Sequence, residues 1–165
     1  MAAQYQFVDR WSVAAPLADV YEVVGNTLGY PSWWGEVFVS VEGDEGPPRP
    51  GRQATIVSRG FLPYRLRWQA QIVGANAPHG FSFTMTGDFV GGGSWAFAED
   101  DDGTVSATFD FRPRVEKAGV KQLTPVLRPV FRWNHSWAMK RGERGLRKLL
   151  ERGKAHTGFE PVPPP

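Results

Sequence analysis

The residues from Thr124 to Arg152 leave this chain few ways to fold. No turn cluster interrupts them before Gly153, and Thr124-Pro125 reads as an N-cap with proline at the first helical position. Pro129 falls inside, which predicts a kink or a short helix leading into a longer one. At ~100° per residue, Phe131, Asn134, His135, Ala138, Gly142, Gly145, Leu146 and Leu149 share one face. Lys140, Arg144, Arg147, Lys148 and Glu151 occupy the other. A mid-helix glycine costs about 1 kcal/mol against alanine, so Gly142 and Gly145 on the inward face predict close approach of another element. Such a helix is suited to lie across a sheet.

The remaining chain supplies the sheet. YQFVDRWSV (5–13) reads as a strand with Phe7, Trp11 and Val13 on one side. Ala15-Pro16 opens a short helix to about Gly25, and Pro31-Ser32-Trp33-Trp34 a second. From Gly35 on the period is two, with strands at 37–43, 52–60, 64–73, 80–87, 94–100 and 104–113. The cleanest is YRLRWQAQIV, where Tyr64, Leu66, Trp68, Ala70 and Ile72 share one face and Arg65 and Arg67 point to the other. Phe83 and Met85 on the next strand, and Phe109 and Phe111 on the last, fall on apolar faces too. Gly91-Gly92-Gly93 reads as part of a turn spanning 88–93. The expected architecture is α+β: a seven-stranded curved antiparallel sheet, two short helices after the first strand, and the long C-terminal helix as cover. One domain would occupy 1–152, with 153–165 a disordered Pro-rich tail.

Composition narrows function mainly by exclusion. The absence of cysteine removes disulfides and thiolate metal sites, and permits an intracellular, cytoplasmic home. The opening MAAQYQFVDRW lacks an apolar core of signal-peptide length, and no run is long enough to span a bilayer. A net charge of +2 is too small to argue for nucleic acid. His79, His135 and His156 have no metal-ligand spacing, no G-x-S-x-G elbow occurs, and the glycine run precedes a strand rather than a helix. No metal or cofactor is expected. The 11 Phe, 7 Trp and 4 Tyr, by contrast, are many for a small domain and fit either a bulky core or an aromatic-lined cavity.

Three stretches resemble the START-like, or SRPBCC, superfamily: AAPLADVYEVVGN…YPSWW (14–34), the loop VEGDEGPPRPG (41–51), and FRWNHSWAMKRGERGLRKLL (131–150). The last is similar to the terminal helix of the polyketide cyclase/dehydrase-like branch, and the loop to that of the birch-pollen allergen group. The resemblance implies a helix-grip fold with a ligand cavity between sheet and helix. It implies one of three roles: a binder of a hydrophobic lipid, polyketide or isoprenoid, a cyclase or dehydratase, or a co-chaperone-like interaction module.

The candidate wall of such a cavity is Tyr64, Leu66, Trp68, Phe83, Met85, Phe109, Phe111, Phe131, Asn134 and His135, though part of this set must be ordinary core. His135 is the one histidine on an inward face, and Tyr64 could supply a hydroxyl beside it, which makes these two the catalytic candidates. A histidine projecting freely into a cavity should cost under ~1 kcal/mol of stability when truncated. GFLP (60–63) and the 88–93 turn are the expected flaps at the mouth. Trp133 and Trp137 map to the outer helix face, where three things could cover them: the 113–123 connector, a Pro129 kink, or a second copy in a homodimer.

Overall fold

A computed structural model describes residues 5–60 and 64–158. Seven strands, β1 (Phe7–Val13), β2 (Phe38–Gly43), β3 (Gln53–Arg59), β4 (Arg65–Asn76), β5 (Gly80–Gly87), β6 (Phe89–Glu99) and β7 (Val105–Val115), pair antiparallel in the order β1-β7-β6-β5-β4-β3-β2. Helix α1 (Leu17–Gly25), a 3-10 turn (Thr27–Gly29) and α2 (Tyr30–Trp33) join β1 to β2, and α3 (Val120–Gly158) closes the chain. This is the helix-grip fold that the residue pattern predicts. Alternation decides which faces are buried: in β4, Leu66, Trp68 and Ile72 are buried while Arg65, Arg67, Gln69 and Gln71 are exposed. Strand order leaves only β1 and β2 as edges, and α3 packs against β1 and β7.

Helix α3 is fastened by the notches its glycines cut. A Cβ on Gly142 would stand 2.5 Å from Trp34 and 2.6 Å from Trp11, and one on Gly145 would meet the Trp33 carbonyl oxygen. The Trp34 indole donates to the Ala138 carbonyl at 2.9 Å, which ties α2 to α3 one turn before the first notch. Trp11, Trp34 and Trp95 pack edge-on or tilted beneath it, with ring centroids 5.0 and 5.2 Å apart.

Four details differ from the sequence expectations. α3 begins at Val120, ahead of Thr124, because Gly119 at φ +87° turns the chain and its N–H is accepted by Gln122 Oε1 at 2.8 Å. That bond is one half of a capping box, and it outweighs the Thr-Pro signal. The helix also continues through residues 153–158, beyond the expected boundary at 152; residues 159–165 lie outside the described set.

The glycine run is not a turn. Gly91, Gly92 and Gly93 lie inside β6, paired with Met85, Thr84 and Phe83 on one side and Pro113, Arg112 and Phe111 on the other. A Cβ on Gly93 would press on the Phe83 ring at 2.6 Å and one on Gly91 on the Arg112 carbonyl, so these glycines make room for neighbours in a tightly curled sheet. The 88–93 segment is therefore no flap, and of the 60–63 flap residues 61–63 lie outside the described set.

Lastly, Trp137 is partly buried and packed against the core, with the Arg141 guanidinium 5.2 Å from its ring. Its partner Trp133 remains 52% exposed. The inward stripe drifts around the helix, burying Met139 and leaving Leu149 exposed.

Candidate functional site

Between the concave face of the sheet and α3 lies a cavity of about 160 Å3. Apolar cavities of roughly 150 Å3 hold a molecule the size of benzene, so this interior is not a filled core. Tyr64 just ahead of β4 and Leu66 and Trp68 on it line the wall, with Phe83 from β5, Phe109 and Phe111 from β7, and Phe131, Asn134 and His135 from α3. Met85 shares the inward parity but is not part of the wall. It is among the largest fully buried side chains, so its surface is already taken up by neighbours. Parity tells which face a residue takes, not whether a neighbour covers it.

His135 does not stand free in this space. Its ring stacks on Phe7 with centroids 3.9 Å apart and planes 18° from parallel, and lies 5.9 Å from the Phe111 ring at 13°. Its Nε2 lies 2.6 Å from Asp9 Oδ2. In the neutral imidazole this contact fixes the proton on Nε2, donated to the carboxylate, and leaves Nδ1 as the acceptor. Asp9 was missed in the sequence. It sits on β1 between Phe7 and Trp11 with the same parity as both, and a charged residue in that place was the available signal.

Tyr64 and His135 are both in the wall, but among the described residues no hydrogen bond joins them. Burial, and secondarily the neighbouring Tyr5, pushes the Tyr64 phenol up to about 12. It is therefore a neutral hydroxyl near pH 7, able to orient a ligand but poorly matched to proton transfer. Asn134 approaches the end of β3 so closely that a Cβ on Gly60 would collide with its amide.

The other end of β3 holds a residue that the pattern also missed. Arg52 has the parity of Ala54, Ile56 and Ser58, all buried, and is itself only 4% exposed. Its Nη1 donates to the Gly46 carbonyl at 2.7 Å, and burial lowers its pKa despite the opposing influence of Tyr30. Burial also raises the Tyr30 phenol, whose hydroxyl donates to the Val24 carbonyl at 2.5 Å. Arg65 and Arg67, in contrast, are exposed on the opposite face of the sheet, as the alternation predicts.

A mostly apolar chamber under a gripping helix, with a few polar groups in its wall, is the arrangement against which known proteins can be compared. The family described as polyketide cyclase / dehydrase and lipid transport matches residues 5–152. The chain belongs to that family. Solved structures share the fold at low identity. A Thermus thermophilus protein aligns with TM-score 0.74 at 16% identity, covering 90% of this chain and 99% of that one. The Zhui aromatase/cyclase of a Streptomyces species gives TM-score 0.74 at 15% identity, covering 91% and 95%. A START superfamily protein from Mycobacterium smegmatis gives TM-score 0.69 at 12%, covering 89% and 97%. Comparison with curated proteins finds no match. Among the described residues no helix is long and apolar enough to cross a membrane.

Proposed function

We propose that this protein binds a hydrophobic small molecule of the lipid, polyketide or isoprenoid kind in the cavity between sheet and helix. The observation that carries the reading is the unfilled chamber itself, walled by rings from β4, β5, β7 and α3. Apolar burial supplies affinity, and the few polar groups at its edges, Tyr64, Asn134 and His135, supply orientation. Titration calorimetry with 2-acetylnaphthalene, a neutral bicyclic probe, tests it. The wild type should bind, and Ala70→Trp, which places an indole in the wall on a strand that tolerates aromatics, should abolish binding without unfolding the protein. No binding to the wild type, or binding that survives Ala70→Trp, overturns the reading. Native mass spectrometry of the purified protein would then identify what it carries.

A second reading, catalysis on a polyketide-like substrate as a cyclase or dehydratase, is favoured by the Asp9–His135 contact at 2.6 Å. A carboxylate hydrogen-bonded to an imidazole fixes its tautomer and its orientation, which is what a general base removing a proton beside a carbonyl requires. On this reading Asp9→Asn removes turnover of a poly-β-keto thioester while probe binding persists. Equal loss of both assigns the pair to ligand orientation. Independently of either reading, we propose self-association through Trp133 and Trp137, of which Trp133 is the exposed member. Light scattering should show a dimer that Trp133→Glu makes monomeric, and a monomeric wild type at tens of micromolar ends that part.

A further inference from the structure

Two independent features of the cavity concern charge. The first is Arg52. It is buried on the concave side at the start of β3, and among the described residues it takes part in no ion pair. Its one side-chain hydrogen bond to a described acceptor is that from Nη1 to Gly46, which leaves most of the five guanidinium N–H donors for other acceptors. Asp44, the acidic group that acts on it, accepts the Gln53 backbone N–H at 3.0 Å. The second feature is the wall as a whole. It includes Arg52, Arg59 and His135 but no aspartate or glutamate, since Asp9 stands behind the His135 ring rather than in the wall.

A buried cation with no carboxylate at ion-pair distance carries a desolvation cost that a bound anion would relieve. The guanidinium fork matches a carboxylate in geometry as well as charge. On the reading that the cavity takes up a hydrophobic molecule, we propose that Arg52 is the anchor for a carboxylate on that molecule. The ligand class is then a hydrophobic acid rather than an alcohol, ketone or hydrocarbon. Its apolar body lies along the inward residues Ala54 and Ile56, and its head meets the guanidinium beside Tyr30. β3 fixes the polarity of the bound molecule, because Arg52 and Gly60 stand at its two ends, at most about 26 Å apart along an extended strand. The head therefore lies at the opposite end of β3 from Asn134.

The test pairs 2-naphthoate with 2-acetylnaphthalene, which share a ring system and nearly a shape and differ in charge. Titration calorimetry of the wild type at pH 7.5 should show the acid binding at least about tenfold more tightly than the ketone, as one charge-assisted hydrogen-bonded pair allows. Arg52→Met should erase that preference while leaving the affinity for the ketone, and Arg52→Lys should keep part of it. Arg67→Gln, on the exposed face of the sheet, should leave the preference intact. Should Arg52→Met fail to fold, nitrogen-detected spectra of the wild type still decide: the Arg52 Nε–H resonance must move with the acid and stay put with the ketone. Equal binding of the two probes, a preference untouched by Arg52→Met, or a resonance that ignores the acid overturns the anchor and leaves the cavity reading standing. A wild type that binds neither probe overturns the cavity reading, and the anchor falls with it.

Discussion

Truncating His135 to alanine should destabilise the fold by about 2–3 kcal/mol, well above what a side chain hanging in a cavity would cost. Two terms make up the figure. The ring is stacked 3.9 Å from Phe7 and 5.9 Å from Phe111, and aromatic pairs of this kind contribute about 0.5–1.5 kcal/mol beyond their buried area. The contact with Asp9 joins side chains 13% and 28% exposed, so water can reach the carboxylate once the imidazole is gone. The lower end of the range for bonds to charged groups, about 1.5 kcal/mol, is the appropriate value. Urea melts of the wild type, His135→Ala, Asp9→Asn and the double variant form the cycle that separates the terms. A coupling of about 1 kcal/mol between the two positions is expected, with an unchanged denaturant slope. A loss below about 0.5 kcal/mol for His135→Ala, or no coupling, would mean that the stack and the bond are not held in solution, and the orienting role of Asp9 would go with them.

Other substitutions test the rest of the architecture. Gly142→Ala should cost about 1–2 kcal/mol in a thermal or urea melt although alanine is the better helix former, because its Cβ would stand 2.5 Å from the Trp34 ring; a stabilising outcome would show α3 free to shift on the sheet. Tyr21 carries a buried hydroxyl with no hydrogen-bond partner among the described residues, so Tyr21→Phe should be neutral or stabilising by up to about 1 kcal/mol, and a clear loss would reveal a partner. Tyr64 gives a pH dependence. Its folded pKa of about 12 lies above the ordinary 10.0, so the fold favours the neutral phenol: this contribution is fully present below pH 10 and is lost as pH rises through about 12. Melting temperatures of the wild type should therefore fall more steeply than those of Tyr64→Phe across that window, and parallel curves would refute the assignment.

The sheet could be read from the residues because alternation in β4, β5 and β7 is strong and its polar faces are unambiguous. The same rule placed Tyr64, Leu66, Trp68, Phe83, Phe109 and Phe111 on the concave side, where nearness to the cavity follows from the fold. It failed where a charged residue occupied an inward position. Asp9 between Phe7 and Trp11, and Arg52 ahead of Ala54 and Ile56, share the parity of their apolar neighbours. A periodicity argument built on apolar residues skips them, and they are the polar groups with the most to say about the ligand. Gly91–Gly93 failed for a different reason. Glycine marks both a turn and a place where chains crowd, and only the partners Phe83 and Arg112 tell which applies. The beginning of α3 depended on Gln122 reaching back to Gly119, a local bond that outranks a proline signal five residues further on.

The tryptophans beneath the notched helix have an optical consequence. Indoles whose centres lie 5.0, 5.2 and 5.4 Å apart, as Trp11 does from Trp95 and from Trp34, and Trp34 from Trp33, mix their excited states and produce an exciton couplet in circular dichroism. Its Trp34 contribution depends on α3 seating on Trp34 through Gly142. Trp34 and Trp95 also form part of the chamber wall, so an occupant would perturb the same transitions. The molecule thus carries a built-in chromophore that reports helix seating and cavity occupancy in one spectrum, without a label.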